Sequence, residues 1–397
     1  MRRRHKQRNR AGAARKHAMR EARERGRADG AAKGREDGYR AALHELAMRQ
    51  LAVRQEPQPG EAPRRPLRLI YVTAGIDVPY PALDQAIIDG FTGLIDELHI
   101  ARPSDDVAKL ADEVRPDLVL VLNGGVLPAD QVARMREAGH TTAVWFTDDP
   151  YYTDWTVEIA PRFDYVFTLE INCVPFYQEH GCANVHYMPF AADPAIFRPQ
   201  RASSKYLTDI CFIGTAFWNR VEMIDRLAPM LARRNVVISG WWWDRLRNYG
   251  KLADKIKLGD WMTPQETAQY YNGAKIVINL HRSIDDDTIN VNSHKIAAHS
   301  ANPRTFEIAC SGAMQLSDMR PDLPSLYTPD EEIATYGSYE ELAEKIEYYL
   351  THEEERQRIA TGGFTRTMRD HTYKSRLQSL LGIVFPELQV QQQASGG

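Results

Sequence analysis

The segment with the greatest capacity to bind a ligand lies at the predicted start of a helix and runs from Arg304 to Glu307. The free N–H groups at a helix start suit a phosphate, and the forked guanidinium of Arg304 adds a cation. A carboxylate in the first turn is stabilised by the helix dipole, and that of Glu307 can accept two hydrogen bonds from a ribose diol. The same spacing also fits an ordinary helix with a capping acid, so both interpretations stay open.

Two adjacent acids, Asp148 and Asp149, follow an apolar strand that the sequence predicts over residues 142–146. A carboxylate at the carboxyl end of a strand can act as the base that removes a proton from a hydroxyl nucleophile. Paired acids before a proline are also a common turn, in which the side chains accept hydrogen bonds from local N–H groups. The sequence therefore allows either a catalytic or a turn role for the pair.

Two loops after predicted strands have residue types that suit ligands. The glycines of the loop 123–125 would allow close approach to a phosphate, or would simply form a tight turn. The aromatic run 241–243 offers flat faces for a sugar or a base, and at least one of its three tryptophans is expected in the core.

No metal site is predicted. The acidic run 285–287 is interpreted as a solvated loop, because no His or Glu lies beside it at the spacing of metal ligands. Nor do the four cysteines show a metal-binding spacing, and they indicate reduced, buried thiols in the cytoplasm. They are Cys173, Cys182, Cys211 and Cys310.

The elements that must position these residues alternate between strand and helix, in a chain of 397 residues that is long enough for two domains. Apolar runs without polar alternation, such as LVLVL at 118–122, are typical of parallel strands covered on both faces. The alternation is interrupted near residues 189–204 and then restarts, which predicts two doubly wound α/β domains. Because ligands bind outside the carboxyl ends of such strands, we expect the site in the cleft between two facing sheets.

The N-terminal residues 1–66 differ from the rest in charge. They contain 19 Lys and Arg against 8 Asp and Glu, a net charge of +11, whereas the remaining 331 residues carry −14. This basic helical or disordered tail is either a solubilising extension or an element that contacts an anionic surface or a partner protein. Nucleic acid is a poor candidate, because no aromatic residues are interleaved with the arginines. No apolar run reaches the ~18 residues of a membrane span, and no secretory signal is recognisable.

Several motifs resemble a known family. The pattern Glu307-x-Ala309-x-x-Gly312 resembles the ribose-binding segment of GT-B glycosyltransferases, and residues 302–318 are similar to CgeB-like spore maturation proteins. The resemblance covers about residues 65–380 and implies an α/β GT-B architecture, with two Rossmann-like domains facing across a cleft. Further matching segments are 145–150, 187–194, 212–220, 257–282 and 371–377.

Charge, the strand–helix pattern and this resemblance together divide the chain into four parts. They are a basic tail with a Pro-rich linker (1–66), an acceptor-side Rossmann-like domain (67–200), a nucleotide-sugar-binding Rossmann-like domain with closing helices (201–382) and a C-terminal tail (383–397).

The resemblance also implies a function: a metal-independent, hexosyltransferase-like enzyme that moves a sugar from a nucleoside diphosphate sugar to an unknown acceptor. It implies that Glu307 holds the ribose and that Gly312 allows backbone to approach the phosphates. The donor is a substrate, so no resident cofactor is expected. The other donor-binding residues implied are Gly214 and Arg220 for the diphosphate and Gly259 and Trp261 for the base. Asn279, in the matching segment 257–282, and Arg304, at the helix start, are also expected to bind the donor. Arg282 is predicted either to face the diphosphate or to form a surface salt bridge.

One position departs from the family pattern. Many retaining members have a second Glu eight positions before the ribose Glu, but here that position is His299, inside an insertion over residues 283–302. Retention of configuration is therefore not implied. Two other functions remain as alternatives: a non-catalytic structural or docking protein of a spore or cell-surface layer, and a nucleotide-sugar epimerase.

Overall fold

The structure is a computed structural model that describes residues 64–259 and 261–388, together with part of the stretch between residues 19 and 51. The described positions of that N-terminal stretch are helical and mostly exposed, and they belong to a unit of their own. The predictions for the rest of the tail, for the Pro-rich linker before residue 64 and for most of the segment 383–397 lie outside the described residues.

Two sheets, each of six parallel strands, form the body of the protein. The first has the order β2-β1-β3-β4-β5-β6. Its central strand β3 is buried at all five positions, as the run LVLVL predicts. The strands are β1 Arg65–Val72, β2 Ile95–Ala101, β3 Leu118–Leu122, β4 Thr142–Trp145, β5 Tyr165–Thr168 and β6 Val185–Tyr187. The helices between them are α1 Tyr80–Phe91, α2 Val107–Val114, α3 Ala129–Glu137, α4 Thr153–Ile159 and α5 Cys173–Glu179.

The second sheet has the order β12-β11-β10-β7-β8-β9. Its strands are β7 Thr208–Ile213, β8 Val236–Gly240, β9 Ile256–Leu258, β10 Ala274–Asn279, β11 Gln315–Asp318 and β12 Ala334–Tyr336. Its helices are α6 Trp218–Leu231, α7 Tyr249–Leu252, α8 Pro264–Gly273, α9 Pro303–Cys310, α10 Leu323–Leu326, α11 Tyr339–Thr351 and α12 Glu353–Asp370.

The last helix, α13 (Tyr373–Val384), returns to the first sheet. Its residues Leu377 and Leu381 are fully buried in the same core as the strand residue Leu69. It crosses α1 at Gly90, where a Cβ would come within 2.9 Å of the Leu377 side chain. The first lobe therefore consists of residues 64–191 with α13 packed on it, and the second lobe of residues 204–370.

The predicted fold class is confirmed: two Rossmann-like α/β domains are present, with helices on their parallel sheets. Each sheet has its switch in strand order near the middle, between β1 and β3 in the first and between β7 and β10 in the second. Among the described helices, none combines the length and the apolar composition that crossing a bilayer requires.

Candidate functional site

A cavity of about 470 Å³ lies between the two lobes and is called the cleft below. From the second lobe, the loops after β7 and β10 line it, and these two strands flank the switch point of their sheet. The first lobe contributes the loops that follow β1, β4, β5 and β6. The cleft is thus at the carboxyl ends of both sets of strands, the position where open α/β sheets bind ligands.

Three arginines of the second lobe line the cleft without a carboxylate partner. Arg220 is only 2% exposed, and its Nε and Nη1 donate to the carbonyls of Leu280 and Thr215 at 2.9 and 3.0 Å. Arg282 is also buried, and its Nε and Nη2 have no hydrogen-bond partner. No salt bridge among the described residues involves Arg220, Arg282 or Arg304.

This cluster of cations is electrostatically unfavourable when it is empty. Burial, and then the positive charge of Arg304, lower the pKa of Arg220 to about 9. Removing a charge from water without pairing it costs several kcal/mol in a protein, of the order that breaking a buried ion pair costs (~3–5 kcal/mol). The arrangement is therefore suited to an anion bound among the guanidinium groups.

Glycines keep the space between these groups open. A Cβ on Gly214 would be 3.1 Å from Nη1 of Arg220 and 3.2 Å from Nη2 of Arg304. Gly240 has φ 137°, and a Cβ there would come within 2.2 Å of the Gly214 carbonyl oxygen. Trp243 holds the same oxygen with its Nε1 at 3.0 Å. Trp243 is fully buried, which confirms that one tryptophan of the run 241–243 lies in the core.

Glu307 lines the cleft beside this cluster and is half-buried. No hydrogen bond among the described residues reaches its carboxylate oxygens, so both remain free to accept from a ligand. Burial raises the pKa of Glu307 to about 7, although the charge of Arg304 opposes this. The helix begins at Pro303, so Glu307 lies in the second turn, and the predicted first-turn position is wrong.

A hydrogen-bond network fixes the start of α9. The side chain of Asn302 caps the helix by accepting from Thr305 N at 3.1 Å, and Asn279 Nδ2 donates to the Thr305 hydroxyl at 3.0 Å. The ring of His281 accepts from Asn302 N at 2.9 Å and contacts Asp318 at 2.5 Å through Nδ1. Because both ring nitrogens are engaged and burial lowers its pKa, His281 acts as a neutral support for the helix.

Three of the predicted donor-binding residues do not line the cleft. Asn279 is 1% exposed and supports α9 as described. Gly312 lies two residues beyond the far end of α9, a helix about 12 Å long on the helical rise per residue, and its φ of 68° explains the glycine. Gly259 forms an exposed turn with φ 76°, although its neighbour Trp261 does line the cleft. The glycines at 259 and 312 serve turns, and neither faces the ligand space.

Two tryptophans form an aromatic edge of the cleft. Trp241 and Trp261 are 37% and 41% exposed, and their ring centroids are 5.8 Å apart with 37° between the planes. Flat, half-exposed aromatic faces are suited to stacking on a base or a sugar. In contrast, Gly124 of the loop 123–125 does not line the cleft and has φ 76°, as expected for a tight turn.

The two adjacent acids are in different environments. Asp149 is 5% exposed and accepts hydrogen bonds from Thr168, Tyr177 and Thr156 at 2.6, 2.8 and 3.2 Å. Burial raises its pKa to about 6. These bonds occupy both of its oxygens, so the geometry favours a structural role for Asp149.

Asp148 has one oxygen available. Its Oδ2 accepts from the hydroxyls of Tyr80 and Thr147, both at 2.7 Å. No described residue donates to its Oδ1, and the side chain lines the cleft. Of the two acids, Asp148 has the geometry of a base that is held in place and still accessible.

The sequence does not single out Glu170, a buried carboxylate that also lines the cleft. It follows β5, is 1% exposed and accepts from the backbone N–H groups of Asn172, His299 and Ser300 at 3.1, 3.0 and 3.0 Å. Burial raises its pKa to about 7. His299 stands at the position where the family pattern has a second Glu. In this chain, its backbone N–H donates to Glu170, a carboxylate of the first lobe.

Glu170 belongs to a wider set of contacts between the insertion 283–302 and the first lobe. Within it, Val291 N donates to the Tyr151 carbonyl at 2.8 Å, and its own carbonyl accepts from Asp154 N at 3.1 Å. Side-chain bonds join Thr153 to Asn292, Asp154 to Ser293 and Asn172 to Ala297. The insertion therefore fastens the two lobes together at one side of the cleft.

The acids of the run 285–287 do not converge. Asp286 is 5% exposed and accepts from Trp218 N at 3.3 Å. Asp287 pairs with Lys295 at 2.6 Å, and Asp285 accepts from a neighbouring serine. The run is thus only partly the solvated loop that the sequence predicts.

Replacing Glu170 with Ala is expected to lower the free energy of unfolding by about 3 kcal/mol, since three buried N–H groups lose their acceptor. Glu170→Gln should cost less, because the amide oxygen can still accept. Urea unfolding of the three proteins measures the difference. Equal stability of Glu170→Ala and the parent would show that water replaces the carboxylate without loss.

The same variants are expected to differ in pH dependence. The pKa of Glu170 is about 7 in the folded protein, raised by burial from its ordinary value of 4.5. Between these values the folded state binds more protons than the unfolded state, so this group makes stability fall as pH rises from about 4.5 to 7. Subtracting the Glu170→Gln curve from the parent curve isolates this contribution, and a flat difference would contradict the assignment.

Comparisons with known proteins agree with this architecture. Residues 220–382 match a family model described as glycosyl transferase-like. Spore protein CgeB of Bacillus subtilis (strain 168) is 28% identical over 308 residues, which are 77% of this chain and 95% of that protein. The resemblance inferred from the motifs is therefore confirmed.

Solved structures with the same fold share little sequence. A glycosyltransferase from Rickettsia africae ESF-5 has a TM-score of 0.56 at 10% identity, covering 82% of this chain and 99% of that one. Anabaena Alr3699/HepE, solved in complex with UDP-glucose, has a TM-score of 0.54 at 10% identity, with 82% and 100% covered. Sucrose-phosphate synthase from Thermosynechococcus elongatus has a TM-score of 0.52 at 10% identity, with 83% and 99% covered. Residues 220–382 are therefore similar to a glycosyl transferase-like family, in a chain that has the GT-B fold and is similar to spore protein CgeB over most of its length.

Proposed function

We propose that this protein is a glycosyltransferase that moves a hexose from a nucleoside diphosphate sugar to an acceptor hydroxyl. The observation that carries the proposal is the cluster of Arg220, Arg282 and Arg304, which line the cleft without a carboxylate partner. A diphosphate is the part of such a donor that supplies the missing negative charge. The Anabaena relative in fold, which was solved with UDP-glucose, supports a donor of this class.

The rest of the donor fits the groups around the cluster. Glu307 presents two free carboxylate oxygens to the hydroxyls of the ribose. The half-exposed rings of Trp241 and Trp261 offer faces on which the base can stack. Because Gly214 has no side chain, space remains between the guanidinium groups, and in the proposal the diphosphate binds there.

The transfer needs a base and a stabilised leaving group. In the proposed reaction, Oδ1 of Asp148 takes the proton of the acceptor hydroxyl, whose oxygen forms a bond to the anomeric carbon. The bond from that carbon to the diphosphate breaks, and the leaving diphosphate keeps the electron pair. The arginines stabilise this developing charge, the electrostatic task that a divalent metal performs in other sites, so we propose a metal-independent reaction.

The setting of the reaction stays a prediction. The similarity to spore protein CgeB supports an acceptor in a spore or cell-surface layer. A cytoplasmic location is in keeping with the four cysteines, which are free and buried. The basic tail stays predicted to be either a solubilising extension or an element that contacts an anionic surface or a partner protein.

Replacing Glu307 with Ala is expected to weaken binding of the preferred nucleoside diphosphate about 10-fold or more, because two charge-assisted hydrogen bonds to the ribose are lost. Calorimetry with a panel of nucleoside diphosphates and their 2′-deoxy forms measures this. The parent should prefer the ribose form, and Glu307→Ala should bind both forms equally.

Glu331→Ala, at an exposed acid that does not line the cleft, is the matched control and should leave both affinities unchanged. If the parent binds no nucleoside diphosphate, the proposed function fails. If it binds one and Glu307→Ala still discriminates against the deoxy form, only the ribose assignment fails.

A further inference from the structure

The first lobe lines the cleft mainly with hydrocarbon. Its contribution includes half-buried aliphatic side chains on α1 and after β5, and a buried aromatic ring after β6. The apolar side chains that form this lining are those of Ala82, Leu83, Ala86, Leu169, Phe190 and Ala191. Of the described residues 64–191, no Arg, Lys, His, Asn or Gln lines the cleft.

The polar groups of this wall are almost all engaged within the protein. The oxygens of Asp149 and Glu170 accept from hydroxyl and backbone groups, as described above. The hydroxyl of Tyr151 donates to the Arg282 carbonyl at 2.9 Å.

The hydroxyls next to Asp148 are engaged as well. Those of Tyr80 and Thr147 both donate to its Oδ2, and the Thr147 hydroxyl also accepts from Asn123 Nδ2 at 2.7 Å. On this wall, within the described residues 64–191, Oδ1 of Asp148 is the one carboxylate oxygen without a protein donor.

Such a wall discriminates between kinds of acceptor. A saccharide carries several hydroxyls, and each one that leaves water without a new partner costs about 1–3 kcal/mol. A hydrocarbon body, in contrast, gains roughly 25 cal/mol for each Å² of apolar surface that it buries. With their side chains, residues 64–191 of this wall offer one free carboxylate oxygen to a hydroxyl and apolar carbon to pack around it.

We propose that the acceptor is an alcohol whose hydroxyl is attached to an apolar carrier, an aromatic ring or an alkyl chain, and not a sugar. The proposal rests on the proposed glycosyltransferase function. The hydroxyl of this acceptor donates to Oδ1 of Asp148, and its carbon body packs on Leu83, Ala86 and Phe190. The cations remain on the opposite wall, where the donor diphosphate binds.

The test compares acceptors in the full-length protein with the donor that binds best. Release of the nucleoside diphosphate is measured with 4-methylphenol, 1-hexanol and methyl glucoside at equal concentrations. We expect at least one of the apolar alcohols to be used at least 10-fold faster than methyl glucoside. Faster transfer to methyl glucoside, or donor binding without transfer to either apolar alcohol, would overturn the inference.

A pair of variants locates the acceptor. Leu83→Asn is expected to raise the KM for the preferred alcohol about 10-fold, since apolar contact is replaced by an amide, with donor Kd unchanged. Leu207→Asn, at an exposed leucine that does not line the cleft, should change neither. An unchanged KM in Leu83→Asn contradicts the acceptor site. Failure of the parent to bind any nucleoside diphosphate would instead contradict the proposed function itself.

Discussion

Replacing Asp148 with Asn is expected to lower the turnover number of sugar transfer about 10²-fold or more, the usual range for losing a general base. The amide cannot take a proton from the acceptor, yet it keeps the size of the side chain and can still accept from the Tyr80 hydroxyl. The arginines proposed to bind the diphosphate are on the other lobe, so donor Kd should stay within about 2-fold of the parent. Steady-state release of nucleoside diphosphate and calorimetric donor titration measure the two quantities.

The adjacent acid provides the control. Asp149→Asn should mainly destabilise the protein, because one amide oxygen cannot replace two carboxylate oxygens that accept from Thr168, Tyr177 and Thr156. Its melting temperature is expected to fall, while the folded fraction keeps most of its turnover. Normal turnover in Asp148→Asn with a large loss in a stable Asp149→Asn would reverse the assignment of the base.

The fold could be predicted where strands are buried on both faces. The run LVLVL of β3 is such a strand, and the interruption of the alternation near 189–204 locates the crossover between lobes. Edge strands give no such signal in the sequence, for a physical reason. In β2 the side chains of Asp96, Glu97 and Ile100 are exposed to solvent, so no continuous apolar run marks it.

The site was predictable only where its geometry is local in sequence. Arg304 and Glu307 are three residues apart on one helix, so their shared position at the cleft follows from the helical repeat. Glu170 could not be found in this way, because two of its partners are His299 and Ser300, 129 and 130 residues further along. Likewise, the role of Gly312 depends on which end of the helix faces the cleft, and a motif of fixed spacing does not specify that.

Arg282 allows a test of the cluster formed by Arg220, Arg282 and Arg304, because its replacement should stabilise the unliganded protein and weaken diphosphate binding. Its guanidinium lies 4.6 Å from the ring centroids of both Tyr151 and Phe217, and two of its nitrogens have no hydrogen-bond partner. The ring contacts offset part of the burial cost, by about 0.5–2 kcal/mol each. The charge is nevertheless incompletely satisfied until an anion binds.

Arg282→Met is therefore expected to raise the melting temperature of the unliganded protein by a few degrees, because a buried charge is replaced by an apolar chain of similar length. The same change should weaken nucleoside diphosphate binding about 100-fold, through the loss of charge-assisted bonds worth ~1.5–3 kcal/mol each. Binding of the free nucleoside should not change. Thermal melts without ligand measure the melting temperature, and calorimetry measures the Kd of the nucleoside diphosphate and that of the free nucleoside.

Arg320 is the matched control, since this arginine of the same lobe pairs with Asp318 at 3.3 Å and does not line the cleft. Arg320→Met should lower the melting temperature, because the partner acid is left buried without its cation. Removing a cation that binds a ligand stabilises the unliganded protein and weakens the complex, whereas removing a structural cation destabilises the protein and leaves ligand binding unchanged. If Arg282→Met behaves like Arg320→Met and binds the diphosphate as the parent does, Arg282 is structural and the anion must be held by the other two arginines alone.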